Sequence, residues 1–171
     1  MNYHKIDICN MDNGDGLRVC LWVAGCNHYC KGCFNPQTWD VRGGDLFELP
    51  QIELIRYALS QDWCKGLTLT GGDPLHPQSR EQISNMCKSL KSEFPTKTIW
   101  LYTGFTYDEL LKNNDPYIDI IFDNIDVLVD GSYVEELKSP DKHWVGSSNQ
   151  RVIDIKKTLK ENKIILYEGD K

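Results

Sequence analysis

The chain has 171 residues, which is enough for one domain with a sizeable core. Its net charge is -6 and it contains no basic run, so nucleic acid is not expected as a main partner, because binding to the phosphate backbone needs clustered Lys or Arg. No apolar run approaches the ~20 residues of a membrane span, and the N-terminus lacks the apolar core of a secretory signal. Membrane association is therefore not expected.

Strand and helix patterns alternate along most of the chain. The predicted strands cover residues 17–23, 67–70, 98–103 and 126–130. The predicted helices cover residues 50–60 and 78–94, and a short third helix opens at the capping-box sequence from Thr106 to Glu109. Residues 118–122 fit either a strand or a helix end. This alternation predicts an α/β fold in which parallel strands are joined by right-handed crossovers.

The last part of the chain is less regular. Val152, Ile155 and Leu159 have helical spacing after residues 147–149, any of which offers a cap, and residues 163–167 have the composition of a last strand. No repeat, linker or low-complexity segment divides the sequence, so we expect a single domain over residues 1–171. Residues after about 160 are expected to form a C-terminal extension, to which the sequence assigns no role.

Short motifs follow the predicted strands at equivalent points: a cysteine-rich loop, then residues 71–73, 103–104 and 130–131. Ligands of α/β folds sit at the C-terminal ends of the strands, so we expect these motifs to build one site. The chain is short for a complete eight-unit barrel of ~250 residues. We therefore predict an incomplete, open (β/α) barrel with mostly parallel strands.

The cysteine-rich loop carries Cys26, Cys30 and Cys33 in CxxxCxxC spacing, directly after the first predicted strand. Zinc sites and cubane iron–sulfur clusters normally take four protein ligands, and no fourth cysteine lies at motif spacing. Three thiolates on one loop predict a 4Fe-4S cluster whose fourth iron is open for chemistry.

The alternative is a zinc site completed by His28, His76 or a distant cysteine such as Cys9 or Cys64. Zinc sites typically use two CxxC pairs, or CxxC with paired His, and neither pattern is present. We interpret His28 as a residue that supports the loop rather than as a ligand. Cys20 and Cys87 lie on apolar faces and are expected in the core. Seven cysteines without a disulfide framework indicate a reducing compartment.

Gly71, Gly72 and Asp73 follow the second predicted strand. Glycines leave the backbone open to close approach, and exposed backbone groups there suit a small zwitterionic ligand. The Asp73 carboxylate suits an ammonium group or another cation. Gly-Gly-Asp alone is also an ordinary turn sequence.

Taken together, CxxxCxxC and the strand-end Gly-Gly-Asp resemble the radical S-adenosylmethionine superfamily. The match is closer to the small activating proteins of anaerobic ribonucleotide reductases. The shared segments are NGDGLR at 13–18, GCFN at 32–35, GGDPLHP at 71–77, WLYTGF at 100–105, VLVDG at 127–131 and GSSNQR at 146–151. The resemblance covers residues 1–155, in order.

The resemblance implies a barrel of the radical S-adenosylmethionine type and an oxidoreductase activity. S-adenosylmethionine would be cleaved reductively at a 4Fe-4S cluster, and the resulting 5′-deoxyadenosyl radical would take a hydrogen atom from a glycine of a partner, leaving a glycyl radical. The implied partners are the large anaerobic ribonucleotide reductase subunit and an electron donor such as a flavodoxin. The implied location is the cytoplasm of a bacterium, including one infected by a phage that encodes the protein.

The resemblance also implies the roles of individual residues. Cys26, Cys30 and Cys33 would ligate the cluster. The residues implied to contact S-adenosylmethionine are Gly32, Cys33, Phe34, Gly71, Gly72, Asp73 and Asp130. In the wider superfamily an aromatic residue precedes the third cysteine, whereas this chain has Gly32 there and Phe34 after it. No catalytic carboxylate pair or Ser/His/Asp arrangement is present, which fits radical chemistry without a protein base.

Two other hypotheses remain at this point. One is a radical S-adenosylmethionine activator of a different glycyl-radical enzyme. The other is a non-catalytic module that a zinc ion or a cluster merely stabilises.

Overall fold

The computed structural model describes residues 1–169, and within them the fold has seven strands and five helices. The strands are β1 (Asn2–Asn10), β2 (Arg18–Val23), β3 (Asp45–Leu46), β4 (Gly66–Gly71), β5 (Thr98–Tyr102), β6 (Val127–Asp130) and β7 (Arg151–Asp154). The helices are α1 (Leu49–Ser60), α2 (Arg80–Glu93), α3 (Tyr107–Lys112), α4 (Pro116–Asn124) and α5 (Ile155–Glu161). Two 3₁₀ turns, Pro36–Thr38 and Glu135–Leu137, lie in the loops that follow β2 and β6.

All seven strands form one open sheet in the order β3-β1-β2-β4-β5-β6-β7. The four central strands β2, β4, β5 and β6 are parallel to one another. The outer strands β1, β3 and β7 pair antiparallel. The α/β class and the open sheet are therefore confirmed, but mostly parallel pairing describes only the middle of the sheet.

The helices cover one face of the sheet. Alternate residues of the central strands point to that face, for example Ile99 and Leu101 of β5, which pack in the main core with residues of all five helices. Trp100 and Tyr102 of the same strand point to the opposite face and pack there with a smaller aromatic cluster around Trp144. This second face, free of helices, is the side on which the candidate site lies.

Most predicted elements are confirmed within one or two residues. Thr106 caps α3 in the predicted capping box, with Glu109 returning a contact to the Thr106 backbone N–H. The ambiguous segment 118–122 is helical, because Asp115 caps α4 and Pro116 occupies its first turn. Cys20 and Cys87 are buried in the core as predicted.

The prediction of a helix directly after residues 147–149 is wrong. That segment is strand β7, and α5 begins only at Ile155, capped by Asp154. Val152 packs on one face of the sheet and Ile153 on the other. A strand buried on both faces shows no alternation, so its apolar residues were indistinguishable from a helical face.

The other errors concern the two ends of the chain. The predicted strand at 163–167 is only an isolated bridge, between Leu166 and Ile153. Strand β1 was missed because its pairing with β2 shifts register twice, between Tyr3 and Lys5 and between Asp7 and Asn10. Such irregularities interrupt the period of two that identifies a strand in a sequence. Residues 170 and 171 of the predicted extension lie outside the described residues.

Among residues 1–169, no helix is both long enough and apolar enough to cross a bilayer.

Candidate functional site

The cysteine loop begins where β2 ends and is closed by backbone hydrogen bonds. The Gly25 N–H donates to the Thr38 carbonyl at 2.7 Å, and the Cys26 N–H donates to the Trp39 carbonyl at 3.1 Å. Gly25 has φ of +100°, a conformation that L side chains rarely adopt, so glycine is required where the chain turns out of the sheet. The loop is thereby held over the C-terminal ends of the parallel strands.

All three thiols of this loop line one cavity of about 380 Å³. Its walls include the strand-end residues Gly71, Gly72, Thr103, Gly104 and Gly131. Residues from each strand-end motif therefore lie at one cavity, although Asp73 and Asp130 are not among its lining residues. Thr70 and Tyr102 line the cavity from the helix-free face of the sheet.

Gly71 and Gly72 are needed to bring the cysteine loop close to β4. A Cβ on Gly72 would lie 2.5 Å from the Gly25 carbonyl oxygen, and a Cβ on Gly71 would lie 2.7 Å from Trp22 Cα. The Gly72 N–H donates to the Val23 carbonyl at 2.8 Å. The two glycines thus have a packing role in addition to lining the cavity.

The three thiols of the loop are the candidate ligands of this site. Cys26, Cys30 and Cys33 are free and partly buried. Within residues 1–169, no three His, Cys, Asp or Glu side chains converge on the position of a single metal ion. Burial raises the pKa of the Cys26 thiol to about 11, so cluster binding there would displace a proton.

The remaining cysteines do not reach the site. Cys64 is buried beside the first residue of β4, at the opposite end of the sheet from the cysteine loop. Cys9 is exposed near the end of β1, where Asn10 pairs with Arg18 at the start of β2. Burial raises the pKa of Cys20 and of Cys87 to about 12, as expected for inert core thiols.

The Asp73 side chain is turned away from the cavity and is bound within the protein. Its carboxylate accepts hydrogen bonds from the Thr103 hydroxyl, the backbone N–H groups of Leu75 and Gly104, and the His28 ring. The Asp73 N–H donates to the Gly25 carbonyl at 2.7 Å. Both the carboxylate and the backbone N–H of Asp73 are therefore already hydrogen-bonded and not left for a ligand in this arrangement. His28 is a partner of Asp73 rather than a metal ligand.

Asp130 also lies outside the cavity. Side chains of β6 alternate, so Val127 and Val129 face the helix-free side, and Asp130 faces the helices. Its carboxylate accepts from the Tyr107 N–H at the start of α3 and from Arg151. The sequence predicts Asp130 at this strand end, and the structure places its side chain on the face of the sheet opposite the cavity.

Gly32 and Phe34 flank the third cysteine differently. Gly32 has φ of +73°, and a Cβ there would lie 2.8 Å from the Glu135 carboxylate, so this residue faces the loop after β6. Phe34 lines the cavity, yet 64% of it is exposed, and its edge packs on Tyr133 at a centroid distance of 5.4 Å. Phe34 is thus at the mouth of the cavity.

Sequence reasoning missed the loop between β6 and β7, which supplies Tyr133, Trp144, Val145, Gly146 and Gln150 to the cavity wall. The sequence assigns no role to the motif at 146–151, and the structure provides one. Gln150 accepts from the N–H groups of Gly146 and Ser147 and donates to the Gly131 carbonyl. The motif therefore fastens this loop to the end of β6.

The chain matches the family model described as a 4Fe-4S single cluster domain over residues 12–153, so it contains such a domain. It is 43% identical over 152 residues to a protein of Enterobacteria phage T4, covering 89% of this chain and 93% of that protein. It is 42% identical over 154 residues to a protein of Escherichia coli K12, covering 89% and 97%.

A Vibrio cholerae protein is 40% identical over 152 residues, covering 88% of this chain and 96% of its own length. All three relatives carry the name anaerobic ribonucleoside-triphosphate reductase-activating protein. At this identity and coverage, the chain belongs to the family of anaerobic ribonucleoside-triphosphate reductase-activating proteins.

Proposed function

We propose that this protein is a radical S-adenosylmethionine enzyme that activates an anaerobic ribonucleoside-triphosphate reductase. Cys26, Cys30 and Cys33 would hold a 4Fe-4S cluster, which would supply one electron, taken from an external donor, for cleavage of S-adenosylmethionine to methionine and a 5′-deoxyadenosyl radical. That radical would take a hydrogen atom from a glycine of the reductase, giving 5′-deoxyadenosine and a glycyl radical. The open sheet, with its parallel centre and helices on one face, would be the incomplete barrel typical of that superfamily.

The observation that carries the proposal is that three thiols from one loop and the Gly71-Gly72 strand end line the same cavity. The cluster domain accounts for the thiols. The rest of the cavity then offers space beside them, walled by glycines and by backbone polar groups, as a small zwitterionic ligand requires.

Cys26, Cys30 and Cys33 would hold the cluster. The backbone of Gly71 and Gly72, together with Cys33 and Phe34, would bind and orient S-adenosylmethionine. We assign Gly32 and Asp73 to holding the cysteine loop in place, and Asp130 to bracing the end of β6. The exposed Phe34 ring at the cavity mouth would help to exclude water once the reductase has docked.

The proposed partners are the large subunit of the reductase and an electron donor such as a flavodoxin. Seven free cysteines fit a reducing compartment, so we propose a cytoplasmic location in a bacterium or a phage-infected bacterium. The continuous sheet supports one functional domain over the whole chain.

The test is anaerobic reconstitution with iron and sulfide, followed by reduction in the presence of S-adenosylmethionine and assay for 5′-deoxyadenosine. Incubation with the matching reductase should then give a glycyl-radical signal in electron paramagnetic resonance. Cys30→Ala is the negative control for both products.

Each alternative gives a different result. An activator of another glycyl-radical enzyme would form 5′-deoxyadenosine but no radical on the reductase. A structural cluster would bind about four irons, yet release no 5′-deoxyadenosine even with the reductase present. Zinc in place of iron would contradict the proposal outright.

A further inference from the structure

His28 lies between two of the predicted cluster ligands, Cys26 and Cys30, and its ring contacts residues at the strand ends. The ring atom Nε2 is 2.6 Å from Asp73 Oδ2. Only 15% of the His28 side chain and 2% of the Asp73 side chain are exposed. This buried pair joins the middle of the cysteine loop to the residue after Gly71 and Gly72.

The Asp73 carboxylate is saturated by donors from three segments. The Leu75 N–H donates at 2.8 Å, the Gly104 N–H at 3.1 Å, and the Thr103 hydroxyl at 2.9 Å and 3.0 Å to the two oxygens. His28 supplies the remaining donor, since a carboxylate offers about four acceptor positions. One carboxylate therefore connects the cysteine loop with the ends of β4 and β5.

The His28 ring is also fixed by packing. A Cβ on Gly104 would lie 2.4 Å from ring atom Cδ2, so only glycine permits the ring to lie there. Phe105 packs edge-on at a centroid distance of 4.6 Å, and Ser132 Oγ is 3.4 Å from Nδ1. Three strand ends thus hold one imidazole in one orientation.

We propose that His28 is a positioning residue that, through Asp73, sets the placement of the cysteine loop relative to Gly71 and Gly72 before any cofactor binds. A loop held in its productive geometry in advance loses less conformational freedom on binding. This inference rests on the proposed function for its reference to S-adenosylmethionine, but its first test does not depend on that cofactor.

His28→Asn and His28→Gln form a matched pair of variants. Glutamine is long enough to place an amide N–H near the position of Nε2, whereas asparagine is too short to reach Asp73. Lys31→Ala is the control, because Lys31 lies in the same loop, is exposed and, within residues 1–169, forms ion pairs with Glu135 and Glu136.

The first measurement uses the metal-free protein. The alkylation rates of Cys26, Cys30 and Cys33 by iodoacetamide are resolved by peptide mass spectrometry, with buried Cys87 as the internal standard. We expect His28→Asn to raise the loop rates roughly tenfold, as loss of one hydrogen bond to a charged group allows. His28→Gln should restore rates near those of the unaltered protein.

The second measurement uses reconstituted protein and records iron content and the electron paramagnetic resonance spectrum of the reduced cluster, with and without S-adenosylmethionine. We expect His28→Asn to keep about four irons and to lose most of the spectral change that S-adenosylmethionine causes in the unaltered protein. His28→Gln should retain that change.

If His28→Asn matched Lys31→Ala in alkylation rates and in the spectrum, the positioning role would be overturned while the proposed function stood. If S-adenosylmethionine left the unaltered protein's spectrum unchanged and no 5′-deoxyadenosine formed, the proposed function would fail. The alkylation rates would then still decide whether His28 positions the loop.

Discussion

Arg151 binds both carboxylate oxygens of Asp130, with Nε donating to Oδ1 at 3.0 Å and Nη2 donating to Oδ2 at 2.5 Å. Asp130 is the last residue of β6 and is almost completely buried, and Arg151 is the first residue of the antiparallel neighbour β7. Hydrogen bonding to Asp130 raises the pKa of the Arg151 guanidinium. The pair fastens the edge strand to the strand end beside the candidate site.

Removal of this cation is predicted to destabilise the fold. Arg151→Ala leaves the buried Asp130 carboxylate with a hydrogen bond from the Tyr107 N–H but without its cation. We therefore expect the free energy of unfolding to fall by about 1–3 kcal/mol. This loss is smaller than for a fully buried pair, because Arg151 is partly exposed. Urea unfolding of the metal-free protein measures this. Arg42→Ala, which breaks an exposed pair with Asp40, should change little; equal losses in both variants would contradict the prediction.

Arg18 is predicted to be irreplaceable by lysine. Its guanidinium is completely buried and donates five hydrogen bonds, to the hydroxyls of Thr68 and Thr98 and to three backbone carbonyls. A lysine ammonium has three donors and no planar fork, so Arg18→Lys should lower the free energy of unfolding by about 2–4 kcal/mol.

Arg56→Lys provides the comparison for Arg18, because Arg56 pairs with Glu53 and Glu93 at the surface. There we expect a change below about 0.5 kcal/mol. Urea unfolding at neutral pH is the measurement, and a tolerated Arg18→Lys would show that the charge alone matters.

Asp115 is predicted to contribute to the loss of stability in acid. Burial raises its pKa, but hydrogen bonds from Arg80 and the Tyr117 N–H outweigh this, so the folded-state pKa lies below the usual 3.8. A depressed pKa stabilises the fold above the unfolded-state value, and that contribution is lost as the pH falls through the folded-state value.

Urea unfolding between pH 7 and pH 3 should therefore show a smaller loss of stability for Asp115→Asn than for the unaltered protein, because the variant has already lost the ion pair. Its stability at pH 7 should be lower by about 1 kcal/mol. Parallel pH profiles for the two proteins would exclude a role for Asp115.

We predict that Cys30 is needed to bind the cluster and that Cys9 and Cys64 are not. Cys30→Ser should not retain a four-iron cluster after anaerobic reconstitution, since Cys30 lines the cavity. Cys9→Ser and Cys64→Ser should retain it, because both residues lie toward the other end of the sheet. Iron and sulfide analysis with visible absorption is the measurement, and loss of iron in Cys9→Ser would identify a distant ligand.

The sequence by itself determined the local elements and the identity of the cysteine loop. Spacing in CxxxCxxC and glycine at strand ends are local features, and Gly71, Gly72, Thr103, Gly104 and Gly131 from the strand-end motifs do line one cavity. The family resemblance likewise rested on residues read in order along the chain, and the comparisons confirm it. Capping at Thr106 could be predicted because its partner is three residues away.

Only the tertiary structure decided which side chains are available to a ligand. Asp73 and Asp130 both follow or end a strand, yet His28 and Arg151, which are 45 and 21 residues away, occupy their carboxylates. Side chains in a strand alternate between faces, so a shift of one position sends a carboxylate to the helices instead of the cavity. Long-range strand pairing also decided that β1 and β7 are strands. Register irregularities in β1 and burial of β7 on both faces remove the local alternation that identifies a strand in a sequence.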